Sequence, residues 1–152
     1  MCMFYDEKAT KQMMDSTEEE FTCYKMYRYR NKHGSTYRVI CSPWQRKCGL
    51  QLDEENIHPN ETIVQKSNRE EKDMTKYELE SCLVDYGIHV FLDETYAKKE
   101  AETNPFCFIV PVTCKKKDLV AAGYWSENSA GKQAVFMEIH IKSNDLIEQF
   151  KE

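Results

Sequence analysis

The stretch Phe106 to Cys114 reads Phe-Cys-Phe-Ile-Val-Pro-Val-Thr-Cys and is apolar at odd and even positions alike. Side chains of a strand alternate between two faces, so a segment apolar on both must be buried from both sides. Pro111 cannot donate to a ladder and demands an edge, a bulge or a strand end at that point. The chain therefore needs a sheet with something packed against it, not an open ribbon.

The flanking segments supply the rest. Gly87-Ile88-His89-Val90-Phe91-Leu92 reads as a strand, and Asp93 caps a helix running to about Thr103. Lys115 to Asp118 is a turn leading into Leu119 to Gly123. Gln133 to Lys142 reads as one strand, with Val135, Met137, Ile139 and Ile141 forming an apolar face. Ser143 or Asn144 caps a last helix striped by Leu146, Ile147 and Phe150. Upstream, Thr22 to Arg30 and Thr36 to Ser42 flank a turn around Gly34 and read as a hairpin, closed by Pro43. Asp6 to Met14 has the makings of a short helix, and Ser16 to Glu19 offers a capping signal. Tyr77 to Val84 is ambiguous between helix and strand. The expected architecture is a single α+β domain with a mixed, mostly antiparallel sheet of five to six strands and two or three helices. Residues 1–21 are expected as a peripheral acidic segment, and 22–152 as the domain, with a long polar loop at 53–75 that has room for a short strand at Thr62 to Val64.

Length and composition agree. The chain of 152 residues supports one core and is too short for two ordinary domains, and 31% charged against 41% hydrophobic residues is normal for a globular protein. No apolar run approaches the ~20 residues of a spanning helix, and residues 1–20 lack a signal-peptide layout. A protein of the host-cell cytosol, without membrane contact, is the expectation.

Charge is segregated. The total is −5, but residues 22–50 carry seven bases and no acid, while residues 1–21 sum to −4 and residues 51–152 to −8. Within the basic segment Tyr24, Lys25, Tyr27, Arg28, Tyr29 and Arg30 interleave, followed by Arg38, Trp44, Arg46 and Lys47. On a two-residue period Lys25, Tyr27 and Tyr29 share one face, and Tyr24, Met26, Arg28 and Arg30 the other. Aromatic rings beside guanidinium groups suit base stacking with phosphate contact, or an interface hot spot. A tyrosine-rich strand solubilised by arginines is the plainer alternative.

Catalytic signals are weak. Seven cysteines (Cys2, Cys23, Cys41, Cys48, Cys82, Cys107 and Cys114) include no C-x-x-C pair, and in a reducing compartment they read as small apolar residues. Neither a zinc site built with His33, His58 or His89 nor any other metal or cofactor site is expected. His89, at the end of a strand before a capped helix, is a candidate base or phosphate contact. Glu138 and His140 share a strand face and are a candidate acid-base pair or a plain surface pair. There is no nucleophile elbow or glycine-rich phosphate loop.

Several short stretches carry a resemblance: Tyr24-Lys25; Gly87-Ile88-His89-Val90-Phe91 with Ala97 and Ala101; Val112-Thr113-Cys114; Lys117-Asp118-Leu119-Val120-Ala121-Ala122-Gly123; and Ala134-Val135-Phe136-Met137-Glu138-Ile139. Their layout resembles small phage and prophage accessory proteins of gut Firmicutes. The resemblance implies an accessory protein of a group rich in inhibitors of host defence, with no catalytic residues to carry over. The expected function is a non-enzymatic binding protein of anti-CRISPR type, contacting a host protein or ribonucleoprotein effector, or its RNA, through the basic hairpin. The alternatives are a sequestering protein for a signalling nucleotide, using tyrosines, Trp44, His89 and Arg or Lys; a small Cys/His-dependent hydrolase or transferase; and an acidic nucleic-acid mimic built from residues 53–102.

Overall fold

The apolar segment at Phe106 to Cys114 forms the middle of the molecule. As strand β8 (Cys107–Lys115) it pairs over nine positions with the long strand β2 (Glu20–Asn31). The computed structural model describes residues 3–31, 38–41, 51–67, 83–84, 86–125 and 132–150. The other strands are β1 (Met3–Tyr5), β3 (Arg38–Cys41), β4 (Gln51–Asp53), β5 (Thr62–Lys66), β6 (Leu83–Val84), β7 (Ile88–Phe91), β9 (Leu119–Tyr124), β10 (Gln133–Phe136) and β11 (Glu138–Lys142). The helices described are α1 (Glu7–Met14), α2 (Glu94–Glu102) and α3 (Ser143–Glu148).

The protein is α+β, as its sequence predicts. All eleven strands join one sheet, in the order β5-β11-β8-β2-β7-β10-β9-β1-β6, with β3 and β4 branching from the far end of β2. Two expectations are corrected here. Among the described residues the strands number eleven instead of five or six, and every pairing is antiparallel instead of mixed. The additional strands β1, β4 and β6 are two or three residues long, too short to show a period.

The second half of the sheet rolls up because one strand breaks. Gln133 to Lys142 is not a single strand. Pairing shifts register at Val135/Phe136, and Met137 leaves both ladders, its N–H donating to Asp118 O (2.8 Å) and its carbonyl accepting from Ser67 N (2.9 Å). A bulge of this kind bends the strand and reverses which parity faces inward. Ala134 and Phe136 face the core before it, Ile139 and Ile141 after it. Val135, expected on the same face as Ile139, packs on the other side with Met3, Val84 and Ala121. Before the bulge the strand pairs with β7 and β9, and after it with β8 and β5. Since β8 pairs with β2 and β2 reaches β7 at Tyr24–Phe91, the pairings close a circuit around one core. Cys23, Tyr27, Ile88, Val90, Val110, Val112 and Cys114 fill it with the residues just named.

Helices close the open sides. Asp93 Oδ1 accepts from Tyr96 N (3.1 Å), as its capping role predicts, and α2 lays Ala97 on the outer face against Met26 and Phe91. α3 sends Leu146 into the core, and Ser143 Oγ accepts from Glu61 N at 2.9 Å. The acidic N-terminal residues, expected at the periphery, add a strand to the sheet: Met3 is fully buried and β1 lies between β9 and β6. Gly123 permits this approach, since a Cβ there would sit 1.9 Å from the Phe4 carbonyl oxygen. Within the expected 53–75 loop, Asp53 ends β4, Glu54–Asn56 make a 3-10 turn and β5 follows; residues 68–75 lie outside the described residues, as do the hairpin turn and most of 77–84.

Candidate partner-binding surface at the end of strand β2

The alternation of β2 sorts the tyrosines from the arginines. On the inner face Cys23, Lys25 and Tyr27 are buried. Tyr27 OH donates to Gln65 Oε1 at 2.7 Å, and burial, with a smaller contribution from Cys114, raises its pKa well above the usual tyrosine value. Lys25 Nζ lies 5.8 Å from the centroid of the Tyr27 ring. On the outer face Met26 is buried and Tyr24 half-buried against the Phe91–Ala97 cluster under α2. Lys25, Tyr27 and Tyr24 are thus structural, out of reach of a large partner.

Beyond residue 27 the strand runs out past the core. Tyr29 is half-buried among aromatic rings, edge-on to Phe106 (5.6 Å between centroids) and to Phe150 (6.0 Å). Arg38, from the neighbouring strand, stacks over Phe150 at 4.4 Å and Tyr29 at 5.5 Å. Its guanidinium holds both oxygens of Glu54 at 3.2 Å, and its backbone N–H also donates to that carboxylate at 3.0 Å. Bidentate geometry of this kind fixes a side chain in place. Arg38 therefore clamps β3 to the turn after β4.

Arg28 and Arg30 differ from Arg38. Both are exposed on the outer face, and neither guanidinium makes an ion pair or hydrogen bond among the described residues. Arg28 sits in register between Cys107 and Cys41. Burial raises the Cys107 thiol pKa, Arg28 works against that, and Cys41 adds to it. Phe106, on the Tyr29 side of the same end, is 58% exposed and held at φ 63° while its carbonyl accepts from Tyr29 N at 3.1 Å. A left-handed phenylalanine costs on the order of 1–2 kcal/mol and exposes an apolar ring. The sequence reading missed Phe106 as a surface residue because it looked like the first residue of a buried strand. Asn104-Pro105 directly before it was the available signal of a turn.

His89 is not at this end. It is buried on the outer face of β7, opposite Val135. Trp44, Arg46 and Lys47 lie outside the described residues. Of the candidate groups for a nucleotide pocket, Tyr27 faces the core and His89 the outer side, and Trp44 lies outside the described residues.

Two of the described cysteines, Cys107 and Cys114, have thiols pushed up in pKa, away from the thiolate. Cys23 and Cys114 are buried side by side, and the Cys114 thiol is driven far up by its hydrogen bond to Cys23 and then by burial. Cys107 lies six residues along β8 from Thr113, the partner of His140, a distance of roughly 20 Å. His140 Nε2 does meet Glu138 Oε2 at 3.0 Å, with Lys66 Nζ 3.6 Å from the other carboxylate oxygen. Burial acts to raise the Glu138 pKa, but His140 and Lys66 together hold it below the usual carboxylate value. Among the described residues no three His, Cys, Asp or Glu side chains group to hold a metal ion, and no helix is long and apolar enough to cross a membrane. No protein-family model, curated protein or solved structure matches the chain.

Proposed function

We propose that this chain is a non-enzymatic binding protein that docks, through the end of β2, on a carboxylate-bearing surface of a partner protein. The observation that carries the reading is the state of Arg28 and Arg30. In a chain with 26 acids and 21 Lys and Arg residues, these two guanidinium groups have no carboxylate partner among the described residues. Arginine and exposed aromatic residues are the composition of an interface hot spot, and Phe106 adds an exposed ring at the same end of β2, on the Tyr29 face. Guanidinium groups without internal partners give up no existing ion pair when they form bidentate pairs across an interface.

RNA is a less good fit. Two exposed arginines neutralise few phosphates, and the overall charge of −5 repels a polyanion. Placing the partner among nucleic-acid-linked host defence effectors, with inhibition of the anti-CRISPR kind as the outcome, rests on the sequence resemblance alone.

The test is affinity capture from a bacterial lysate with the tagged chain, run with and without nuclease, beside Arg28→Glu/Arg30→Glu and Phe106→Ala variants. A protein captured by the wild type, lost with either variant and insensitive to nuclease supports the reading. Capture that vanishes with nuclease assigns the surface to RNA instead. Capture that survives charge reversal removes the surface from consideration.

A further inference from the structure

Away from the end of β2, the outer face carries a second constellation of unused polar groups. Thr22 of β2, Thr113 of β8 and His140 of β11 lie in one row across three neighbouring strands, each directly opposite the next. Together with Pro111, Lys142 and Asp145 they line an open cleft of about 110 Å³, space for roughly four waters.

None of these side chains is committed elsewhere except at one atom. His140 uses Nε2 on Glu138. Among the described residues Thr22, Thr113, Lys142 and Asp145 make no side-chain hydrogen bond or ion pair, although Lys142 and Asp145 carry opposite charges on the same cleft. The Glu138 contact fixes the imidazole through Nε2 and leaves Nδ1 as its second polar atom. The cleft thus offers one cation, one anion, two hydroxyls and one imidazole nitrogen.

The charges decide what such a site takes. Phosphate or any other simple anion would face Asp145, and a metal or simple ammonium ion would face Lys142, each a like-charge contact at short range. An apolar group would strip water from both hydroxyls without replacing it. A small zwitterion satisfies both charges at once, its carboxylate meeting Lys142 and a threonine hydroxyl, and its ammonium meeting Asp145 and the other hydroxyl. We propose that this cleft binds a free α-amino acid of the smallest size class, such as glycine, alanine or serine. This site is independent of the surface on β2, and its test does not involve Arg28, Arg30 or Phe106.

The probes are glycine, L-alanine and L-serine, titrated in the millimolar range into the 15N-labelled chain, with acetate and methylammonium as half-ligands. The site predicts saturable shifts at the amides of Thr22, Thr113, His140 and Asp145 for at least one amino acid. Either half-ligand alone should produce much smaller ones. Asp145→Asn and Lys142→Gln should each weaken the affinity by about tenfold or more, as expected for one charge-assisted hydrogen bond. Neither side chain has a hydrogen-bond or ion-pair partner among the described residues, so both variants should melt close to wild type. Asp145→Asn loses only the small benefit of a first-turn acid, and a folded 15N spectrum of each keeps the comparison free of unfolding. Absence of saturable shifts with all three amino acids overturns the proposal. So does a half-ligand that binds as well as the amino acids, or binding that survives either substitution undiminished.

Discussion

Tyr27→Phe isolates a side-chain hydrogen bond that spans the interior of the rolled sheet. The phenol sits fully buried on β2 and reaches Gln65 on β5, 2.7 Å away and itself buried. The substitution keeps the ring and its packing on Phe108 at 6.2 Å, so little hydrophobic burial changes. It removes a buried donor and leaves the Gln65 carbonyl without it, a loss of about 1–3 kcal/mol. For a chain of this size about 2 kcal/mol lowers Tm by roughly 4–8 °C. The assay is urea unfolding, where the midpoint should fall with m unchanged.

Alkaline pH supplies a second reading of the same contact. The folded pKa of Tyr27 is raised above the unfolded value, so its contribution is complete below pH ~10 and is lost as pH rises toward the folded pKa. The gap between wild type and Tyr27→Phe should therefore shrink by up to about 1.4 kcal/mol between pH 9 and 11. A variant as stable as wild type at pH 7, or a gap that widens with pH, would refute the buried-donor reasoning.

Other perturbations address the remaining contacts. Gly123→Ala drives a Cβ into the Phe4 carbonyl oxygen at 1.9 Å; we expect a loss of about 1–3 kcal/mol and protease cleavage of residues 1–15 while the rest stays protected. Arg38→Met and Glu54→Gln should each cost about 1–2 kcal/mol, with a double-mutant coupling near 1 kcal/mol by urea unfolding. Glu138 has a lowered pKa, so its stabilising contact with His140 and Lys66 is present above the unfolded carboxylate value and lost as pH falls through the folded one; Glu138→Gln should flatten the acid limb of the stability profile. Arg28→Glu/Arg30→Glu should leave the melting temperature within the small range expected of exposed, unpaired side chains.

What the sequence made legible was local and periodic. The face assignment of Lys25, Tyr27 and Tyr29 against Arg28 and Arg30, the Asp93 cap and the Leu146 stripe all follow from periods of 2.0 and 3.6 residues. What stayed hidden depended on distant partners. The bulge at Met137 is fixed by Asp118 and Ser67, so no window around residue 137 reveals it. β1 is three residues long and exists because Gly123 leaves space for it. In the candidate surface, the segment was legible but the division within it was not. Arg38 and Arg28 look alike in sequence, and only the position of Glu54 makes one a clamp and the other an unpaired charge.

The central claim is that Arg28 and Arg30 contact an acidic partner surface. Its most direct test is the ionic-strength dependence of Kd for the captured partner, measured for wild type and for Arg28→Glu/Arg30→Glu. Wild-type binding should weaken as salt rises, and the variant should bind at least about tenfold more weakly, with that salt dependence flattened or reversed. Equal affinities with equal salt slopes would contradict the claim.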